Sequence, residues 1–264
     1  MSSCLPTSPE WNALLQKRDA LYSQIATVLA EIHSLADSSP VVIGHYAAAF
    51  GERLTRLHAA EIDAARLKRE IELVQAAINS GQDFDYEKIQ EILDAEFAEW
   101  QAKLNAEAEN LKRERGVLDH LLDPEKTVAL RDRFRVLARR LHPDLNPSQS
   151  LAAAELWHRV TAAYAARDLA ELDAIEILTR DSDTQSPPES TDALRGVIEI
   201  LRAQLEQLLT TMAQRRNSWP FDQLRMLEDP DATAAQQAEL DSRIDQAEAL
   251  REDRKQWLNQ LLGR

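Results

Sequence analysis

Apolar residues spaced alternately three and four apart recur along most of this chain, with few breakers between them. Trp11, Leu14, Arg18, Leu21, Ile25, Val28, Ile32 and Leu35 keep that spacing, with Arg18 the one charged residue in the series. A half-buried strand needs a period of two. A spacing of three and four draws one stripe down a helix, and its heptad form packs that stripe against another helix. The 264 residues include only 6 Gly and 10 Pro, so most windows are long enough to stay helical. The abundant Ala, Leu, Glu, Gln and Arg are good helix formers. The expected fold class is therefore all-α.

Breakers and caps divide the chain. A first helix is expected from about Pro9 to Ala36, ended at Asp37, Ser38, Ser39 and Pro40, because the residue before proline resists the α region. This makes 1–40 an N-terminal heptad helix. The next seam is Ile43, Ala47, Phe50, Leu54, Leu57, Ala60, Ala64, Leu67, Ile71, Val74 and Ile78, with one phase slip between Leu57 and Ala60. Asn79, Ser80 and Gly81 supply a stop, and Asp83 or Asp85 can cap a new start. The following seam is Tyr86, Ile89, Leu93, Phe97, Trp100, Leu104, Leu111, Leu118 and Leu122. Two helices of similar length joined by a short turn lie antiparallel. Residues 41–122 are thus expected to form a long antiparallel coiled-coil hairpin, each arm roughly 55 Å long at ~1.5 Å per residue. Asp123, Pro124 and Glu125 open another helix that ends at Leu141. A further helix runs from a Ser150 cap to about Thr179, and 123–180 make up one module. Residues 181–190, DSDTQSPPES, read as a linker. Beyond it, 191–264 read as a second C-terminal helical hairpin, bent at Ser218, Trp219 and Pro220.

Charge and chemistry exclude several functions. The 45 acidic and 31 basic residues leave a net charge of -14. That argues against nucleic acid and against anionic membrane surfaces, both of which need a positive footprint. No apolar run reaches the ~18 residues of a membrane span. The start, MSSCLPTSPEW, lacks the basic and apolar regions of a secretion signal. The single cysteine, Cys4, permits neither an internal disulfide nor a thiolate zinc site. A cytoplasmic location is expected. The histidines at 33, 45, 58, 120, 142 and 158 include no i, i+4 pair, so no helical metal site is expected. DSDTQSPPESTD lacks the sixth-position glycine of a calcium loop and holds two prolines. No Gly-rich phosphate loop and no nucleophile–base arrangement is evident. The chain is expected to be a non-enzyme without cofactor or metal.

Residues 139–147, RRLHPDLNP, break the helical monotony. Leu130, Phe134, Leu137 and Leu141 form one stripe before this loop; Trp157, Val160, Ala163 and Tyr164 form one after it. These are expected to be the core of an antiparallel pair. Off the stripe lie Arg131, Arg133, Arg135, Arg139 and Arg140, opposed on this helix only by Glu125 and Asp132. A positive helix thus sits in an acidic protein. His142 precedes proline, so its ring is expected to project outward. Pro143 fixes the turn, Asp144 can bond the backbone two residues on, and Asn146 with Pro147 adds a second stiff step. His142 and Asp144 are both expected at the surface.

Residues 134–147, FRVLARRLHPDLNP, resemble the second helix and loop of J-domain co-chaperones of the DnaJ family. Phe134, Arg135, Leu137, Ala138, Arg140, Leu141, His142, Pro143, Asp144 and Asn146 match the pattern. WHRVTAAY at 157–164 resembles the third helix. The resemblance covers about 40 residues. It departs in lacking a Tyr-x-x-Leu-Gly first helix, in Leu145 where a base is usual, and in the acidic DLAELDAIEIL at 168–178. The stretch Val117 to Leu122 is the expected substitute for the first helix, packing on Phe134, Leu137 and Leu141. The resemblance implies a partner, a DnaK-type heat-shock chaperone whose ATP hydrolysis is stimulated. It also implies a contact set of His142, Pro143, Asp144, Asn146, Arg131, Arg133, Arg135, Arg139 and Arg140. The coiled-coil arms would then select a client protein or a location, and the N-terminal seam could pair within the chain or between two copies. The alternative is a coiled-coil scaffold in which the J-like module is only structural.

Overall fold

The computed structural model describes residues 9–80, 85–120, 124–146, 149–179 and 190–264, and among them the regular elements are all helical. The fold is all-α. The helices are α1 (Pro9–Tyr46), α2 (Glu52–Ser80), α3 (Tyr86–Gly116), α4 (Pro124–Leu141), α5 (Leu151–Ala165), α6 (Leu169–Leu178), α7 (Thr191–Arg216), α8 (Leu224–Glu228) and α9 (Pro230–Leu261). They fall into two compact units, one of residues 1–39 and 122–222 and one of residues 40–121 and 223–264. Cys4, Gly81, Asp83, Asp123, Pro147 and nearly all of the expected linker lie outside the described residues.

In the first unit, α1 is buried on two faces. Trp11, Leu21, Ile25, Ala26 and Leu29 pack with Leu194, Ile198 and Leu201 of α7. Arg195 pairs with Glu10, and Arg216 pairs with Glu31 at 3.0 Å. The same offset at both ends makes α7 parallel to α1. On the other face, Ala30 joins Leu130, Phe134, Leu137, Ala138 and Leu141 of α4, Trp157, Val160, Ala163 and Tyr164 of α5, and Leu172 and Ile175 of α6. Both expected stripes are core.

The expected single helix from Ser150 to Thr179 is two helices. Ser150 caps the first as expected, its side chain accepting from Ala153 N–H at 3.2 Å. Arg167 then takes a left-handed φ of 57°, and Asp168 caps α6 by accepting from Glu171 N–H at 3.0 Å. The break has a physical cause. A straight helix would carry Leu172 and Ile175 away from the core, whereas the reversal returns both to α4, fully buried.

The expected cover of Phe134 is the stretch Val117–Leu122. Among the described residues that place is taken by α1, with Ala30 in the cluster and the His33 ring 4.6 Å from the Phe134 ring. Leu118 instead lies against Gly44 in the second unit, and Leu121 and Leu122 lie outside the described residues.

In the second unit, α2 and α3 form the expected antiparallel hairpin. Arg69–Glu96 and His58–Glu107 each pair at 2.9 Å, the numbers falling on α2 as they rise on α3, and Arg66–Asp94 adds a pair at 2.7 Å. Asp85 caps α3, accepting from Glu87 N–H at 3.1 Å. Glu70 is buried near the hairpin turn, accepting from Tyr86 Oη and from Gln90 Nε2, the latter at 2.7 Å. Helix α9 runs parallel to α2: Arg53–Asp241 and Arg56–Glu248 pair at 2.9 and 2.8 Å. Phe50, Leu57, Leu240 and Ile244 share one cluster; Ile71, Val74, Ile89, Leu93 and Leu258 share another.

Four expectations change in these helices. Pro40 lies inside α1 and does not end it. An interior proline costs about 3 kcal/mol, which burial of Val42 and Ala47 just beyond it can offset. The helical irregularity is a π turn at Ala47–Gly51, earlier than the slip read from the seam. The two C-terminal helices are both present, but each spends its apolar stripe in a different unit: α7 on α1, and α9 on α2 and α3. Trp100, an expected seam residue, is 56% exposed.

Two glycines let the end of α3 approach closely. A Cβ at Gly44 would lie 2.9 Å from the Glu114 carbonyl oxygen, and one at Gly51 would overlap Leu111 Cδ1. The Leu111 side chain can rotate; the Glu114 backbone cannot. Gly44→Val is expected to cost about 1–3 kcal/mol in urea unfolding. Gly116→Ala, where a Cβ meets nothing within 4 Å, should be neutral or slightly stabilising. Equal effects of the two would show that the close approach is not a constraint.

Candidate partner-binding site

The loop after α4 is built from the helix it ends. Phe134 is enclosed by Trp157 at 5.5 Å, Tyr164 at 4.5 Å and His33 at 4.6 Å between ring centroids. This fixes the rotation of α4 and turns its arginines away from the core. Arg135 and Arg139 are exposed, and Arg131, Arg133 and Arg140 are half-buried. Arg133 Nε meets Asp173 at 2.5 Å and Glu176 at 3.1 Å, and the hydrogen bond to Asp173 leads in raising its pKa. Arg140 donates to the Glu176 carbonyl oxygen at 3.3 Å. Two of the five arginines expected to face a partner are therefore committed to α6, whose acids stand where the sequence departs from the J-domain pattern. Arg135 pairs with Asp132, on its own helix, at 3.4 Å.

The turn is closed by its own residues. The His142 carbonyl accepts from Leu145 N–H at 3.1 Å and Asn146 N–H at 2.9 Å. Asn146 Nδ2 donates to the carbonyls of Arg139 at 3.3 Å and His142 at 3.2 Å, satisfying C-terminal groups that the helix leaves unpaired. His142 does not project outward. Its side chain is 13% exposed, its ring sits edge-on to Trp157 at 4.8 Å, and its Nδ1 accepts from Asp144 N–H at 3.1 Å. The side chain that bonds the backbone two residues on is thus that of His142. Pro143 is exposed, and the Asp144 side chain is 59% exposed, 3.8 Å from His142 Nδ1. Leu145 is 1% exposed and sits in the α1–α7 cluster. Gln204 of α7 donates to the Asp144 carbonyl oxygen at 3.3 Å.

The expected residues His142, Pro143, Asp144, Asn146, Arg135, Arg139 and Arg140 are thus at one end of α4, with Arg131 and Arg133 further back along it. Sequence reasoning missed His33, Leu145 and Gln204. For Leu145 a signal existed: a leucine in place of a base is a residue that wants burial. His33 and Gln204 gave none. Comparison with family models, curated proteins and solved structures returns no match. Among the described residues no helix is long and apolar enough to cross a membrane.

Burial pushes the His142 pKa below its ordinary value, with Asp144 opposing. Burial does the same to His33, reinforced by His142 and Arg215. Both folded pKa values therefore lie below the unfolded one, so the folded state binds fewer protons. The contribution is full above the ordinary value of 6.5 and is lost as pH falls from there through the folded values. The urea midpoint, read by tryptophan fluorescence, should drop as pH is lowered through this window, and His33→Leu should flatten that dependence. A midpoint that ignores pH in both proteins would refute the buried-histidine account.

Proposed function

We propose that this protein is a J-domain-like co-chaperone that binds a DnaK-type chaperone and stimulates its ATP hydrolysis. The observation that carries this reading is the outward Pro143–Asp144 pair at the end of a helix whose exposed face holds Arg135 and Arg139. The arginines supply steering and contact to an acidic groove. The Asp144 carboxylate supplies the differential contact: it must bind the hydrolysis-competent state of the partner better than the resting one. His142 acts by holding the turn and is neither an acid nor a base in this scheme. The α2–α3 hairpin serves as the arm for a client or a location, and the protein works in the cytoplasm as a binding partner, not an enzyme.

A second reading, a scaffold in which the module is only structural, draws support from the burial of His142 and Leu145 and from the pairing of Arg133 with α6. Single-turnover ATP hydrolysis by a DnaK-type chaperone separates the two. The full chain is expected to accelerate it roughly 5- to 150-fold, the range of typical coupling free energies. Asp144→Asn should remove the acceleration and leave the melting temperature nearly unchanged. No acceleration by the wild type favours the scaffold.

The basic face has its own test. Arg135→Glu together with Arg139→Glu should weaken chaperone binding, and added salt should weaken the wild type in the same direction. Binding indifferent to both takes the arginines out of the interface.

A further inference from the structure

The turn is pegged at both ends into different apolar clusters. His142 is held on Trp157. Leu145 is held in the cluster of Leu21, Ile25 and Leu29 from α1 and Leu194, Ile198 and Leu201 from α7. Only Pro143 and Asp144 span the two pegs, and proline fixes one of their torsions. The bond from Gln204 goes to the Asp144 carbonyl oxygen and leaves the carboxylate outward. Gln204 Oε1 is buried without a partner among the described residues. The amide therefore sits at this place at a cost, and its bond to the turn is what offsets it. Helix α7 thus grips the inner side of the turn without covering its outer side.

We propose that Leu145 and Gln204 are positioning residues that fix the outward presentation of Asp144, which makes α7 part of the same functional site. This rests on the reading of 142–146 as a chaperone contact. A turn released from its Leu145 peg spends only a fraction of its time in the competent orientation. Apparent affinity falls by that fraction, while the fully bound complex is unchanged. The defect differs in kind from that of Asp144→Asn, which removes the contact itself.

The test uses the full chain carrying Leu145→Ala, Gln204→Ala or Leu145→Met. Two readouts are taken: amide hydrogen exchange, and chaperone ATPase as a function of co-chaperone concentration. The amides of Asp144, Leu145 and Asn146, which donate to His142 Nδ1 and to the His142 carbonyl, should exchange faster in both alanine variants. The Phe134 amide should not. Half-saturation should rise roughly tenfold for Leu145→Ala with the maximal rate kept, as expected if about a tenth of the turns are competent. Leu145→Met should behave as wild type. Unchanged exchange at all three amides in both alanine variants overturns the proposal, as does a lost maximum at unchanged half-saturation. If Leu145→Ala loosens the whole unit, Gln204→Ala decides, since it leaves the apolar stripe whole. A wild type that never stimulates, with variants that still loosen the turn, removes the chaperone reading and leaves the clamp standing.

Discussion

Burial of α1 on two faces is the interaction on which the first unit depends. A helix with one stripe can close a core with one neighbour; α1 carries Ile25, Ala26 and Leu29 toward α7 and Ala30 toward α4, α5 and α6. Its alanines matter as much as its large residues, because small side chains let neighbouring helices approach. At ~25 cal/mol per Å² of apolar surface, a helix enclosed on two sides gains far more than an exposed heptad arm. That gain holds the α4–α5–α6 module and α7 on one support.

The turn at 142–146 inherits its shape from that support. His142 and Leu145 are drawn into two clusters, and the residues between them are left outside. The arrangement commits part of the basic face of α4: α6 neutralises Arg133, and Arg140 donates to its backbone. What stays available is a narrow surface at the end of α4, with Arg135, Arg139, Pro143 and Asp144. In the proposed co-chaperone, specificity would then depend on a few side chains held rigidly and less on a broad charged patch.

The second unit solves a different problem. Its hairpin is thin, because Ile89 and Leu93 are buried while Trp100 is open. Helix α9 thickens it along α2, and the glycines at 44 and 51 bring the end of α3 close. Glu70 adds register: a carboxylate buried beside Tyr86 and Gln90 is satisfied only in one alignment of the two helices. Burial and the bond to Glu70 push the Tyr86 hydroxyl up to about 12, so it remains a donor at any ordinary pH.

Helix class, the stripes of α4 and α5, the caps at Asp85 and Ser150 and the antiparallel α2–α3 pair were legible in the sequence, because each follows from local spacing or from a short connection. The break at Arg167 was not, since its cause is the return of Leu172 and Ile175 to α4. The inward turn of His142 was not, since its partner Trp157 lies on the next helix. Pro40 misled because local propensity counts a lost hydrogen bond and not the burial beyond it. By itself the sequence determined how much apolar surface each helix had to hide and where the helices could start. Which helix hides against which was decided only by the tertiary structure, because one apolar stripe fits many others and only simultaneous closure of a core selects among them.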